Sequence, residues 1–104
     1  MDDGTFARVD AALVHLGQLA ARLEEGDRHG HVKRCVTELQ TAFAARAPVE
    51  PAVGRVLRSL QMVISDGADG SRREFQQSAP GLGRVGTALE AELLPALRQL
   101  GFEV

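Results

Sequence analysis

The sequence predicts an all-α fold, a small helical bundle of four main helices plus a short one, in a single domain over residues 1–104. Apolar residues recur three and four positions apart, which is the period of a helix with one buried face. Gly and Pro clusters divide the chain into segments of helical length. No segment alternates apolar and polar residues as a half-buried strand does. A chain of this length can bury one hydrophobic core.

The first predicted helix covers about residues 5–25. Its apolar stripe is close to a coiled-coil heptad and consists of Phe6, Val9, Leu13, Leu16, Ala20 and Leu23. Leu19 and Ala12 widen this stripe. Such a seam can pack inside a bundle or pair with the same helix of a second copy, but three heptads are short for an independent coiled coil. We therefore expect this helix to contribute to the bundle core.

The second and third helices are predicted at about 28–46 and 51–65, with a proline-rich segment between them. Pro51 suits a first helical turn, because the N–H that it lacks would have no partner there. The two apolar stripes consist of Val32, Cys35, Val36, Leu39, Ala42 and Phe43, and of Val53, Val56, Leu57, Leu60, Val63 and Ile64. Leu60 lies in the middle of its stripe, so we expect it to be fully buried. Residues 65–70 are rich in turn formers and are predicted to be a loop.

The last third of the chain predicts a short helix and a long one. A capping box of the Ser-x-x-Glu type precedes the short helix, at about 72–78. One Pro and two Gly make residues 79–83 a predicted hinge. The long helix is predicted at about 84–100. Pro95 should kink it by removing a backbone donor, and Gly101 should cap its end.

The composition argues against several classes of partner. The chain has 12 basic and 14 acidic residues and a formal net charge of -2, so no nucleic-acid partner is expected. The only cysteine is Cys35, which excludes an internal disulfide. No apolar run approaches the roughly 20 residues that span a bilayer, so no membrane partner is expected. Acidic residues directly after Met1 are unlike a signal peptide, and a cytoplasmic location is predicted.

One cluster raises the question of a metal or thiol site. His29, His31 and Cys35 lie close together in the sequence, and His31 and Cys35 are four residues apart, which places them on one helix face. Zinc accepts such nitrogen and sulfur ligands. However, only three ligands are visible, and Cys35 fits the apolar stripe as a small buried thiol. We therefore predict no metal, no cofactor and no catalytic residue.

Other polar residues allow a surface interpretation and a functional one. His15 lies beside the stripe of the first helix, where a single histidine is typically a surface residue. Arg55 and Arg58 lie opposite the apolar stripe of the third helix. They are either a solvated face or a surface that binds an acidic partner.

The C-terminal residues 93–104, LLPALRQLGFEV, resemble the end of the helical region in GrpE-type nucleotide exchange factors. Residues 56–60 are similar to a leucine-rich segment of that family, and Glu38, Leu39 and Phe43 to its preceding helix. The resemblance covers roughly residues 31–104 and implies a co-chaperone that regulates nucleotide exchange. The sequence departs from the family, since Gly and Pro interrupt the long helices that the family pairs into an extended dimer. The family's β-rich domain, which contacts the chaperone, has no counterpart in these residues.

These observations predict a non-enzymatic helical module for protein–protein interaction. Several helices carry broad apolar stripes, and a small bundle has limited interior in which to bury them. We expect the remaining apolar surface to be covered by a second copy, as a homodimer, because two-fold dimers are the commonest oligomers. The alternatives are a GrpE-like regulatory module without the β domain, and a metal or thiol enzyme built around His29, His31 and Cys35.

Overall fold

The computed structural model describes residues 3–23, 27–46, 50–68 and 79–103. The described residues are almost entirely helical and contain no strand, which confirms the all-α prediction. The helices are α1 (Asp3–Ala21), α2 (Asp27–Ala44), α3 (Glu50–Ala68), α4 (Ala79–Ala88), a π-helical turn (Leu89–Leu93) and α5 (Leu94–Gln99). The last three follow one another without a break, so they form a single long helix. The predicted short helix at 72–78 lies outside the described residues.

The helices form a bundle in which α1 packs on α2, α2 on α3, α3 on α4, and the last helix on α1. Two contacts fix the direction of the last helix. Arg8 hydrogen-bonds to Gln99, and His15 hydrogen-bonds to Glu92. Residue numbers therefore rise along α1 in the direction in which they fall along the last helix. The last helix therefore runs antiparallel to α1 and closes the bundle.

The core consists of the apolar stripes predicted from the sequence. Every residue of the first predicted stripe is buried, and so are most of those in the other stripes. Leu60 is 0% exposed, as predicted for the middle of its stripe. Among the described residues, the large apolar side chains that remain exposed are Val14 and Met62. Most of the apolar surface that suggested a second copy is thus buried within one chain.

Several predicted boundaries differ from the structure, including the end of α2, which lies at Ala44 instead of about 46. Helix α1 begins and ends earlier than the predicted 5–25, at Asp3 and Ala21. Helix α3 continues to Ala68, so residues 65–68 of the predicted loop are helical, while 69–70 lie outside the described residues.

The predicted hinge at 79–83 is also wrong, because this segment forms the first turns of α4. Pro80 occupies the first turn, where the N–H that it lacks needs no intrahelical partner. Two of the three glycines of α4, Gly81 and Gly86, lie where a Cβ would press against a neighbouring side chain, so they permit close packing. A Cβ at Gly86 would lie 2.9 Å from Cγ2 of Ile64 in α3, so only glycine lets these helices approach so closely.

Pro95 is accommodated by the π-helical turn that precedes it. The backbone N–H of Leu94 donates to the carbonyl oxygen of Leu89, five residues back instead of four. Pro95 then lies at the start of α5, where its missing donor is tolerated. A π-helical turn thus precedes Pro95, while the kink expected there stays a prediction.

Gly101 ends the last helix, as predicted. Its φ is 100°, a left-handed conformation that favours glycine. The N–H of Gly101 donates to the carbonyl of Arg98, and the N–H of Phe102 donates to the carbonyl of Leu97. This pattern is a Schellman cap. It directs Phe102 back onto Phe43, with the ring centroids 5.8 Å apart, and so seals this end of the core.

Candidate functional site

An open cleft of about 420 Å³ lies between α2 and α3. Its lining residues are His31, Arg34, Cys35, Glu38, Ala52, Arg55, Val56 and Ser59. The two helices contribute four residues each, spaced three and one apart, which is the pattern of two helix faces turned towards each other. We refer to this space as the α2–α3 cleft.

A small polar cluster occupies the end of the cleft where α2 begins. Nε2 of His31 lies 2.7 Å from Oγ of Ser59, which joins α2 to α3 by a hydrogen bond. The same Nε2 lies 3.7 Å from Sγ of Cys35, one helical turn further along α2. His31 and Cys35 therefore share a face, as the sequence predicted. Ser59 was missed, because it is 28 residues from His31 and nothing in its own segment marks it.

The thiol of Cys35 is poorly suited to nucleophilic chemistry. Cys35 is only 4% exposed. Burial raises the pKa of the Cys35 thiol, outweighing the hydrogen bond from Ser59, which lowers it. A raised pKa keeps the sulfur protonated at neutral pH, whereas the thiolate is the reactive form.

The hydroxyl of Ser59 has a base beside it but little other support. Within the described residues, the His31 ring hydrogen-bonds only to Ser59 and, weakly, to Cys35, so no carboxylate orients it. Nucleophilic serines depend on a base that is itself oriented by a third group. Ser59 also lies inside α3, where backbone N–H groups are used by the helix and are not available to an oxyanion. The cluster is best described as a polar link between two helices.

Two arginines line the cleft and a third lies near it. Arg34 and Arg55 line it from opposite helices, and both are exposed. Neither makes an ion pair with any residue that the structure describes. Arg58, three residues after Arg55, is exposed, and its one hydrogen bond to a described residue is to the backbone carbonyl of Gly54 in its own helix, at 3.4 Å. Glu38 is the one carboxylate among the lining residues that the structure describes.

The exposed part of this surface continues along α3. Met62 is four residues after Arg58 and seven after Arg55, so all three share one helix face. Its side chain is 66% exposed, which is unusual for a large apolar residue in this protein. We define the α2–α3 face as Arg34 and Glu38 of α2 together with Arg55, Arg58 and Met62 of α3.

A second groove, of about 530 Å³, lies between α1 and α4. His15 crosses one end of it, with Nδ1 lying 2.7 Å from a carboxylate oxygen of Glu92. Leu19, Pro80 and Ala88 form part of the apolar wall. His15 is thus a surface residue, as the sequence predicted, but it has a partner that the sequence did not reveal.

The predicted metal cluster is described only in part. The side chain of His29 lies outside the described residues. Among the side chains that the structure does describe, no three His, Cys, Asp or Glu residues lie close enough to hold a metal ion. That His29, His31 and Cys35 bind no metal stays a prediction, which elemental analysis can test.

Comparison of the chain with models of known families, with curated proteins and with solved structures finds no match. The similarity to GrpE-type exchange factors therefore rests on the sequence motifs alone. Over the part of the chain that is described, no helix is both long and apolar enough to cross a bilayer.

Proposed function

We propose that this chain is a non-enzymatic helical module that binds a partner protein through its α2–α3 face. One observation carries the proposal: Arg34 and Arg55 line an open cleft, Arg58 lies one turn after Arg55 on α3, and none of the three forms an ion pair with a described residue. Guanidinium groups are suited to recognition because their planar donors match carboxylates in two hydrogen bonds. An open cleft beside them offers room for a side chain of the partner.

Charges on another face are used within the chain, which supports this choice of surface. Arg46 binds Asp10 through both guanidinium nitrogens, at 3.1 and 2.6 Å, and lies 5.0 Å from the ring centre of Phe6. These contacts tie the end of α2 to α1. Within the described parts of the chain, the arginines of the α2–α3 face make no comparable contact.

The metal or thiol enzyme is less well supported than an interaction module. Cys35 is almost fully buried and its thiol is held in the protonated form. His31 is engaged with Ser59 in linking two helices. Both residues are explained by packing between α2 and α3.

Affinity purification from the native host tests the proposal. The double variant Arg55→Glu/Arg58→Glu should lose a partner that the unaltered chain retains. The matched control is Arg22→Glu/Lys33→Glu, which changes the net charge equally at exposed positions outside the α2–α3 face. Equal recovery of every partner by both variants would contradict the proposal.

A homodimer is the second candidate, and the α1–α4 groove favours it. Leu19 lines this groove, and Val14, which lies on α1 outside the groove lining, adds a further apolar side chain that is 52% exposed. Apolar surface of this kind is buried when two copies meet about a two-fold axis. Sedimentation at micromolar concentration should then give twice the 11.1 kDa chain mass, and Val14→Glu/Leu19→Glu should restore the single chain. Sedimentation of the unaltered protein at 11.1 kDa would exclude this candidate.

A further inference from the structure

We infer that the α2–α3 face binds an acidic, amphipathic segment of a different protein, with carboxylates on the three arginines and an apolar side chain against Met62. This inference rests on the proposed function and adds the chemistry of the partner. It follows from three properties of the face: its local charge, the position of its exposed methionine, and the acidic residues at its borders.

The local charge of the face is opposite to that of the chain. Arg34, Arg55 and Arg58 contribute three positive charges and Glu38 one negative charge, whereas the whole chain has a formal net charge of -2. The positive charge is therefore concentrated on this face beyond what composition provides. Complementary charge steers encounter and selects the partner.

The same charge argues against a second copy on this face. In a two-fold interface each surface meets itself, so three arginines would face three arginines with only one Glu38 on each side to compensate. Like charges placed together across an interface are costly. A homodimer, if it forms, would use the α1–α4 groove instead.

Met62 indicates that the partner is amphipathic. It lies on the same face of α3 as Arg55 and Arg58, and its side chain is 66% exposed. Flexible methionines adapt to apolar side chains of varied shape. An amphipathic helix presents apolar and charged residues at neighbouring positions, so it can meet Met62 and the arginines together.

Acidic residues at the borders of the face favour a protein over a continuous polyanion. Asp66 is four residues after Met62, at the end of the face on α3, and it is exposed. Glu38 lies beside Arg34 in the cleft lining. A nucleic acid or polyphosphate strand crossing the face would meet these carboxylates, whereas separate Glu or Asp side chains can be placed to avoid them.

The test uses a fluorescein-labelled synthetic helix of about 18 residues, long enough for several turns, with Glu and Leu at helical spacing. A second peptide has every Glu replaced by Gln. By fluorescence anisotropy at low salt, the Glu peptide should bind the full chain at least about tenfold more tightly, the sum of several exposed ion pairs. Raising the salt should reduce this difference.

Two variants locate the effect. Arg55→Gln/Arg58→Gln should abolish the preference for the Glu peptide, whereas Met62→Ser should weaken both peptides alike. The control Arg22→Gln/Lys33→Gln should bind as the unaltered chain does. Circular dichroism melts should match for all variants, since every altered side chain is exposed.

Equal affinity for the two peptides, no binding of either, or tighter binding of polyphosphate would overturn the inference. Failure of this inference is distinguishable from failure of the proposed function. If the host partner is still lost on Arg55→Glu/Arg58→Glu, the interaction module stands even when the peptide experiment shows that its partner is not acidic.

Discussion

Two glycines of α4 should respond in opposite ways to the same substitution. Gly83 and Gly86 both lie inside this helix, three residues apart. Alanine at either position gains about 1 kcal/mol of helix propensity, because glycine loses more backbone freedom on folding. The difference between the two sites lies entirely in what the new methyl group meets.

The surroundings of the two sites determine how much each substitution changes the stability. At Gly83 a Cβ meets nothing within 4 Å, so Gly83→Ala should stabilise the protein by most of that propensity gain. At Gly86 the Cβ would lie 2.9 Å from Cγ2 of Ile64, whereas carbon atoms prefer about 3.5 to 4.0 Å. Ile64 is β-branched and stiff in a helix, so α3 and α4 must separate. Such overpacking costs about 1 to 3 kcal/mol, which cancels or exceeds the gain.

The assay is urea unfolding followed by circular dichroism, with both variants compared with the unaltered chain. Gly83→Ala should be the more stable of the two variants by about 1 to 3 kcal/mol. If Gly83→Ala is neutral or destabilising, the segment is not helical in solution, and the hinge predicted from the sequence is correct after all. If Gly86→Ala is as stable as Gly83→Ala, the close contact between α3 and α4 does not exist.

Three further predictions concern the core and the cleft. Leu60→Ala should cost about 2 to 5 kcal/mol in denaturant melts, because Leu60 is fully buried, while exposed Met62→Ala should change stability by less than about 0.5 kcal/mol. Similar effects would show that the buried face is misassigned. Elemental analysis should find no stoichiometric zinc, and one zinc per chain that is lost in His31→Ala would contradict this. The raised pKa of Cys35 means that the folded state binds the thiol proton more tightly than the unfolded state does. Stability should therefore fall as pH rises above the ordinary thiol value of about 8.5, and less steeply in Cys35→Ala.

Helix positions were predictable because apolar periodicity reports directly on burial. The stripes of α1, α2 and α3 were each identified from spacing, and Leu60 was placed correctly within its stripe. Periodicity extends over many residues, so a single ambiguous position does not change the result.

The glycines at the start of α4 were interpreted as a hinge because glycine in a sequence has two structural meanings. The absence of a Cβ permits unusual backbone conformations, and it equally permits two helices to approach closely. Gly81 and Gly86 serve the second purpose, against Leu23 and Ile64. Only knowledge of which helices are neighbours distinguishes the two uses.

The candidate site was predictable in the part that depends on one helix. His31 and Cys35 were placed on one face by their spacing, and Arg55 and Arg58 were recognised opposite the apolar stripe. The same rule applied to α2 would have found Arg34. Ser59 could not be found, because its contact with His31 depends on how two separate helices are set side by side.

The π-helical turn at Leu89–Leu93 decides which residues of the last helix point inward. An α-helix turns about 100° per residue, so one extra residue in a turn rotates everything after it by that angle. Without this correction, Leu94 and Leu97 would move away from the side on which Val85 and Leu89 are buried.

A π turn is equivalent to an α turn with one residue inserted, so exposed Ala91 is in effect a spare residue. Deleting it would keep both halves of the helix in phase with the core, whereas a deletion elsewhere in the helix would not. The deletion alone would bring the Pro95 ring against the carbonyl of Glu90, four residues back in the shortened turn. Ala91 should therefore be dispensable only when Pro95 is also replaced by alanine. The deletion and the substitution are expected to be tolerated together, whereas the deletion alone is not.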